Sequence, residues 1–306
     1  MLRFMTWRIL RAATTMFLVL VVAFLTLRFS GTPFEIMFPQ GLTVELQAAL
    51  EKKHGLDKPL LEQFLVYLRD VAQGDFGRSI HTREVVWQVY LARMPATLAV
   101  GSLALVLSIA IGIPLGAFAA LYRSHPAARA GMGLAFLGYA VPHFVIGIGL
   151  ILYFGYYLRV LPTTGLDTPT HYILPVVTLA IPMIAGIARF MRAAMMDAVS
   201  HQHVLTAVSK GATEGRVVRL HILRNAMIPL ITVLGLEIAG LLNGSIFVEA
   251  VFSLPGVGRV LVNAVERRDF PLLQFGLIAY AAIVVVVNLV VDLLYVVADP
   301  RVRLEE

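Results

Sequence analysis

Three carboxylates, Glu237, Glu249 and Asp292, fall within or at the ends of long apolar runs. An unpaired charge in hydrocarbon costs several kcal/mol or is neutralised, so such groups either relay protons or hydrogen-bond one helix to another. Glu237 is the deep one. Glu249 stands close to the outer boundary of its run, and Asp292 has Asn288 one turn before it, a spacing that suits a structural bond. His143 has no second ligand at metal spacing, so a packing role or a gate hydrogen bond is expected of it rather than a metal. Together with Asn243, the residues His143, Glu237 and Asp292 are the candidate pathway or merely intramembrane polar groups.

Catalytic constellations are missing. A phosphate-binding loop needs G-x-x-x-x-G-K-[ST], because backbone amides and a lysine must surround the phosphates. The chain has only four lysines, and Ser209-Lys210-Gly211 presents the elements in the wrong order. Neither H-E-x-x-H nor G-x-S-x-G occurs. With no cysteine, disulfides, thiolate metal sites and cysteine nucleophiles are excluded. Any energy source lies outside this chain.

The elements that must position these groups are membrane helices. Of 306 residues, 58% are hydrophobic and 14% charged, with mean hydropathy +0.81. A soluble domain carries about 25% charged residues. Six spans are expected: residues 12–27, 94–122, 130–158, 168–188, 226–248 and 270–291. The first resembles a signal sequence in its arginines, but no A-x-A-like cleavage site follows Arg28, so a retained anchor is expected. Pro114, Pro142 and Pro182 sit inside spans, where they allow kinks. Gly112-x-x-x-Gly116 and Gly240-x-x-x-Gly244 have the spacing of close helix packing.

Charge placement orients the chain. With the N-terminus inside, the cytoplasmic segments hold thirteen basic residues and the two short outer loops only Arg159, Arg259, Arg267 and Arg268. That asymmetry predicts both termini in the cytoplasm. The net charge of +6 therefore reports topology rather than a nucleic-acid partner. Residues 1–30 form the first span with its cytoplasmic start, and 31–93 a small helical outer segment. Residues 94–298 form a five-helix core, and 299–306 a cytoplasmic tail. In the outer segment Thr43 is expected to cap a helix through Lys53. Leu60, Leu61, Phe64, Leu65 and Leu68 recur at helical spacing in a second, closed by Gly74 and Gly77.

The sizeable cytoplasmic piece is the loop 197–228. Val204, Leu205 and Val208 suggest one apolar face of a short helix that ends near Gly211, where the missing Cβ permits a sharp turn. Thr213 is expected to cap a second helix carrying Val217, Leu220 and Leu223 on one side, with Arg216 and Arg219 on the other. Such a knob either fits a groove in a soluble partner or lies on the membrane surface.

Residues Leu205-Thr206-Ala207-Val208-Ser209-Lys210-Gly211 resemble the EAA-x-x-x-G coupling loop of ABC importer permeases. His221-x-x-Arg224-Asn225-Ala226-x-x-Pro229, with Pro229 eighteen residues beyond that glycine, is similar to the dipeptide/oligopeptide variant. His54 to Leu60, Gly74-Asp75-Phe76-Gly77-Arg78-Ser79 and Arg93 to Leu98 match the same pattern, as do Leu254-Pro255-Gly256-Val257-Gly258-Arg259 and Arg268-Asp269-Phe270-Pro271. Asn288 to Tyr295 and Asp299 to Arg303 complete the resemblance. Leu205 and Thr206 stand where the loop's name expects Glu and Ala, His203 replaces a usual tyrosine, and His143 a small or apolar residue.

The resemblance implies an all-α integral membrane protein of the type I ABC importer permease fold, in a bacterial inner membrane. It implies coupling through Leu205, Thr206, Ala207, Val208, Lys210, Gly211, Glu214, Arg224, Asn225 and Pro229, with Ala207 facing the groove of an ATPase. It further implies two ATP-binding subunits carrying ATP and magnesium, a second similar permease chain as heterodimer partner, and an extracytoplasmic solute-binding protein. The chain itself would hold no cofactor. Similar permeases serve dipeptides, longer peptides, glutathione, nickel chelates and some sugars or opines, so membership does not choose the cargo. The competing class is a self-sufficient proton-coupled transporter or channel using Glu237 or Asp292.

Overall fold

The computed structural model describes residues 2–29, 43–53 and 56–298. The tail 299–306, the start of the 31–93 segment and residues His54 and Gly55 lie outside them. Among the described residues the regular elements are helical, with one isolated bridge between Arg78 and Val85. We number the α-helices α1 (Leu2–Phe29), α2 (Val44–Lys53), α3 (Leu60–Ala72), α4 (Val86–Leu121), α5 (Pro126–Ala140) and α6 (His143–Leu150). They continue as α7 (Ile173–Val199), α8 (Gln202–Ser209), α9 (Glu214–Val217), α10 (Arg224–Val251), α11 (Val257–Glu266) and α12 (Phe270–Ala298). A π-helical stretch, Ile151–Tyr157, follows α6, and another, Val218–Leu223, joins α9 to α10.

Among the described residues five helices are long and apolar enough to cross a membrane: Thr6–Thr26, Val86–Leu121, Pro169–Val199, Glu214–Leu241 and Phe270–Leu294. The sixth expected span, 130–158, is not one straight helix. It is α5 and the α6 segment, bent by 104° at the break between them. Pro142 explains the break: its ring disfavours the helical conformation in the residue before it, and it has no N–H to donate. Val141 accordingly takes an extended conformation, φ −90° and ψ 127°. Pro114 and Pro182, by contrast, remain within continuous helices.

The chain divides into two compact units, Met1–Met94 with Val260–Val285 and Pro95–Arg259 with Val286–Glu306. In the first, α1 meets α3 through Phe24, whose ring centroid lies 5.2 Å from Phe64 and 5.7 Å from Tyr67. The inner face of α3 is Gln63, Phe64 and Tyr67, while Leu60, Leu61 and Leu65 of the expected stripe stay exposed. Gly74 and Gly77 close α3 in left-handed conformations, φ +79° and +84°, and the Thr43 hydroxyl accepts from the Leu46 N–H at 3.4 Å. The Ser79 hydroxyl and the Ile80 N–H both donate to Asp269, and His81 Nε2 donates to the Arg267 carbonyl at 2.8 Å. Two motifs far apart in sequence are thereby one corner.

In the second unit α7 is the central helix. One end packs Leu174, Leu179 and Ala180 with Val100, Ala104, Val248 and Phe252. The other end packs Ile187, Met191, Met195 and Ala198 with residues of α8 to α10. Of the two glycine pairs, Gly112 and Gly116 do the expected packing. A Cβ on Gly112 would meet the Ile187 side chain at 2.9 Å and one on Gly116 the Met191 Cβ at 2.7 Å, so α4 and α7 approach only because both lack one. A Cβ on Gly240 would meet nothing within 4 Å, so the second pair is no seam among the described residues.

Candidate functional site

The segment 202–229 is built on the end of α7. His201 enters α8 in an extended conformation, and α8 closes at Gly211, φ +79°, whose N–H reaches the Val208 carbonyl at 2.9 Å. The left-handed turn is where a Cβ is costly, and glycine is the residue that avoids it. Ala212 then donates to the Ala207 carbonyl at 3.1 Å, tying the turn back onto the helix.

The two faces of α8 differ from the sequence expectation. Val204 and Ala207 are buried, packed in one core with Met191, Met195, Ala198 and Val217. Leu205 and Val208, one residue further along each time, are 63% and 57% exposed. Residues three apart share a helix face, so the buried pair and the exposed pair lie on different faces. Ala207 therefore lies on the inner face of α8 rather than the outward face expected of it; its small side chain lets α8 seat on α7. The outward apolar groups are Leu205 and Val208, beside exposed Thr206, Lys210, Gly211 and Glu214.

The second helix of the expected knob is not separate. From Glu214 to Val251 the chain is helical throughout, so α9 runs through the π-helical turn directly into α10. Its buried residues, Val217, Ile222, Ala226, Leu230 and Val233, are spaced by four or three except for one step of five at the π turn. That wider turn keeps both halves facing the same core. Val217 is buried as expected, whereas Leu220 is 42% exposed. Thr213 occupies the N-cap position, but its hydroxyl makes no capping bond. Asn225 joins the two ends of the segment, its Nδ2 donating to the His221 carbonyl at 2.6 Å and to His203 Nε2 at 2.9 Å. The sequence singled out His203 and Asn225 separately; nothing in a 22-residue separation announces that they meet. Arg224 and Pro229 are exposed on α10.

The pathway candidates scatter. Glu237 packs over Gly186 of α7, where an added Cβ would meet its Oε1 at 2.8 Å. The His143 ring lies against Gly244, seven residues further along α10, which is about 10 Å along the axis. Asp292 is half-buried on α12, and the side chain of Asn243 lies outside the described residues. Among the described residues no three His, Asp or Glu side chains gather as metal ligands.

Glu249, already singled out in the sequence near the end of its run, centres a polar site whose partners the sequence did not announce. Its side chain is buried, and the Thr97 hydroxyl donates to Oε1 at 2.7 Å while the Arg259 N–H donates to Oε2 at 3.2 Å. The Val257 N–H in turn donates to the Thr97 hydroxyl at 2.9 Å, and the Arg259 guanidinium goes to the Ser253 carbonyl at 2.7 Å. A Cβ at Gly256 would collide with this carboxylate, and one at Gly258 would lie 3.0 Å from Oε2. The glycine spacing of Leu254 to Arg259 was the signal: the loop wraps a carboxylate and leaves no room for side chains. Glu249 is thus a buried joint between α4, α10 and the start of α11.

What this geometry offers is mechanical. An apolar two-residue knob, Leu205 and Val208, is fixed to the end of the long helix α7. The family model of the binding-protein-dependent transport system inner membrane component matches residues 112–304, and the N-terminal model of such membrane components matches residues 1–101. The chain belongs to this family. The permease is 36% identical over 305 residues to the dipeptide transport system permease protein DppB of Escherichia coli (strain K12), covering 89% of this chain and 90% of that one. It is 38% identical over 304 residues to the glutathione transport system permease protein GsiC of the same strain, covering 99% of both. Its fold is similar to a chain of the inward-facing MetNI methionine ABC transporter, with TM-score 0.57 and 16% identity over 70% of this chain and 97% of that one. An amino acid ABC transporter crystallised with histidines gives TM-score 0.54 at 21% identity, over 68% of this chain and 93% of that one.

The permease is accordingly a multi-pass inner-membrane subunit of an ABC importer with the type I fold. ATP hydrolysis belongs to separate ATP-binding subunits, and these and a binding protein are its partners. The reading as a self-sufficient proton-coupled carrier is set aside.

Proposed function

We propose that this permease pairs with a second, similar permease chain to form the translocation pathway for dipeptides, longer peptides or glutathione-like solutes, handed over by an extracytoplasmic binding protein. Two ATP-binding subunits, which hold the ATP and magnesium, dock on α8 from the cytoplasm. Both termini are cytoplasmic, the 31–93 segment lies outside, and residues 94–298 are the transport core. His143, Glu237, Asn243 and Asp292 are the candidate polar groups for the path or for the helix packing around it.

One observation carries the coupling: α8 buries Val204 and Ala207 in the core at the end of α7 and presents Leu205 and Val208 outward. A load applied to the outer face is transmitted to α7, and to α10 through Val217, Ile222 and Asn225. The cargo class rests on the printed functions of the two relatives. The test is reconstitution of the permease with its partners in vesicles, with labelled dipeptide or glutathione loaded on the binding protein. ATP-dependent accumulation is expected; uptake driven by a proton gradient without ATP refutes the reading.

A further inference from the structure

In the second unit α5 and α7 enclose a cavity of about 310 Å³ lined by Met132, Gly133, Phe136 and Tyr139 of α5 and by Arg189 and Arg192 of α7. The spacing is that of two facing helix stripes: residues 132, 136 and 139 share one face, and 185, 189 and 192 share another. The Arg189 guanidinium lies 4.7 Å from the Tyr139 ring centroid, and Arg192 Nε is buried with no hydrogen-bond partner among the described residues. No ion pair is made by either arginine among the described residues, and none of the cavity's walls is acidic. Arg192 Nε is thus a buried donor without a partner among the described residues, and the exposed Arg189 brings a second guanidinium to the same cavity, a pair that can receive an anion.

The depth of the cavity narrows the choice of anion. The uncharged run that includes α7 covers residues 168–188, about 30 Å of helix at 1.5 Å per residue, and ends at Arg189. The run that includes α5 begins at Ala130, immediately after Arg129. Arg189 follows directly on the uncharged run of α7 and Arg129 directly precedes that of α5, so the cavity lies near the charged ends of both runs, where headgroups are expected. Along α5 beside it, Leu134, Phe136 and Leu137 are 70%, 67% and 61% exposed, an apolar surface suited to acyl chains. The space beside Gly133 is open, since a Cβ there would meet nothing within 4 Å.

We propose that this cavity is a binding site for an anionic phospholipid, its phosphate held by Arg189 and Arg192 and its acyl chains lying along Phe136 and α5. Basic pockets between membrane helices near the cytoplasmic boundary are a recognised way of holding acidic headgroups. Arginine suits the task because its planar fork donates two bonds to one phosphate.

The experiment uses the assembled, delipidated transporter in native mass spectrometry, with phosphatidylglycerol, phosphatidylcholine and inorganic phosphate as separate probes. Phosphatidylglycerol is expected to be retained at least tenfold better by the wild type than by Arg189→Gln/Arg192→Gln, and better than phosphatidylcholine. Phe136→Ala, an exposed position whose change spares the fold, is expected to weaken long-chain phosphatidylglycerol while leaving the charge contacts in place. Equal retention by wild type and double variant overturns the proposal. Displacement of the lipid by inorganic phosphate reassigns the site to a free anion, and displacement by a dipeptide reassigns it to the transport path; either result also overturns it.

Discussion

Leu205→Ala is the perturbation that reads the outer face of α8 most directly. The change removes three carbons, worth about 0.8 kcal/mol for each methylene buried, or about 2.4 kcal/mol in full. Leu205 is 63% exposed before any partner arrives, so about 1.5 kcal/mol of that is left to be gained on docking. A difference of 1.4 kcal/mol is tenfold in affinity, so the Kd for the ATP-binding subunits should rise about tenfold. Val208→Ala, with fewer carbons lost, should give a smaller rise, and Val208→Asp a much larger one because a carboxylate would be buried unpaired. The measurement is binding of purified ATP-binding subunits to the solubilised membrane part, with permease abundance recorded in parallel. Ala207→Leu is the control for the other face. Extra volume in the core that holds Val204, Met195 and Val217 should cost about 1–3 kcal/mol and lower the amount of folded permease. If Leu205→Ala and Val208→Asp bind as tightly as the wild type, the assignment of faces is wrong.

Gly211→Asn should be tolerated better than Gly211→Val, because the space around the glycine is open and only its left-handed backbone is demanding; uptake rates of the two variants compare them. Glu249→Ala leaves the Thr97 hydroxyl and the Arg259 N–H without their acceptor, at about 1–3 kcal/mol each, and should lower the melting temperature followed by size-exclusion chromatography. An unchanged melting temperature would remove Glu249 from the framework. Glu237→Gln should retain most ATP-driven uptake, and complete loss in a folded protein would make that carboxylate functional. Reporter fusions after Lys210 and near Lys53 should lie on opposite sides of the membrane, the first in the cytoplasm; labelling of both from one side contradicts the six-span topology.

The membrane class, the run of apolar helices and the short helix that ends at Gly211 were legible in the sequence, because each depends on local composition or on a contiguous motif. Twenty uncharged residues must find hydrocarbon whatever surrounds them, and Gly211 must turn whatever it touches. Pro142 was singled out for the same local reason, but the 104° bend it permits depends on where α6 packs after the break. Which of Val204, Leu205, Ala207 and Val208 faces inward could not be read from α8 alone. All four are apolar on eight residues, and the choice was made by Met191, Met195 and Ala198 of α7 together with Val217. The π turn at 218–223 belongs to the same class, since it corrects the phase between two packed helices rather than expressing a preference of its own residues. Glu249 shows the limit most clearly. Its place in an apolar run suggested a boundary group, whereas the glycines at 256 and 258 and the hydroxyl of Thr97, 152 residues away, bury it. A hydrogen bond needs two partners within about 3 Å, and only the folded chain brings such distant partners together.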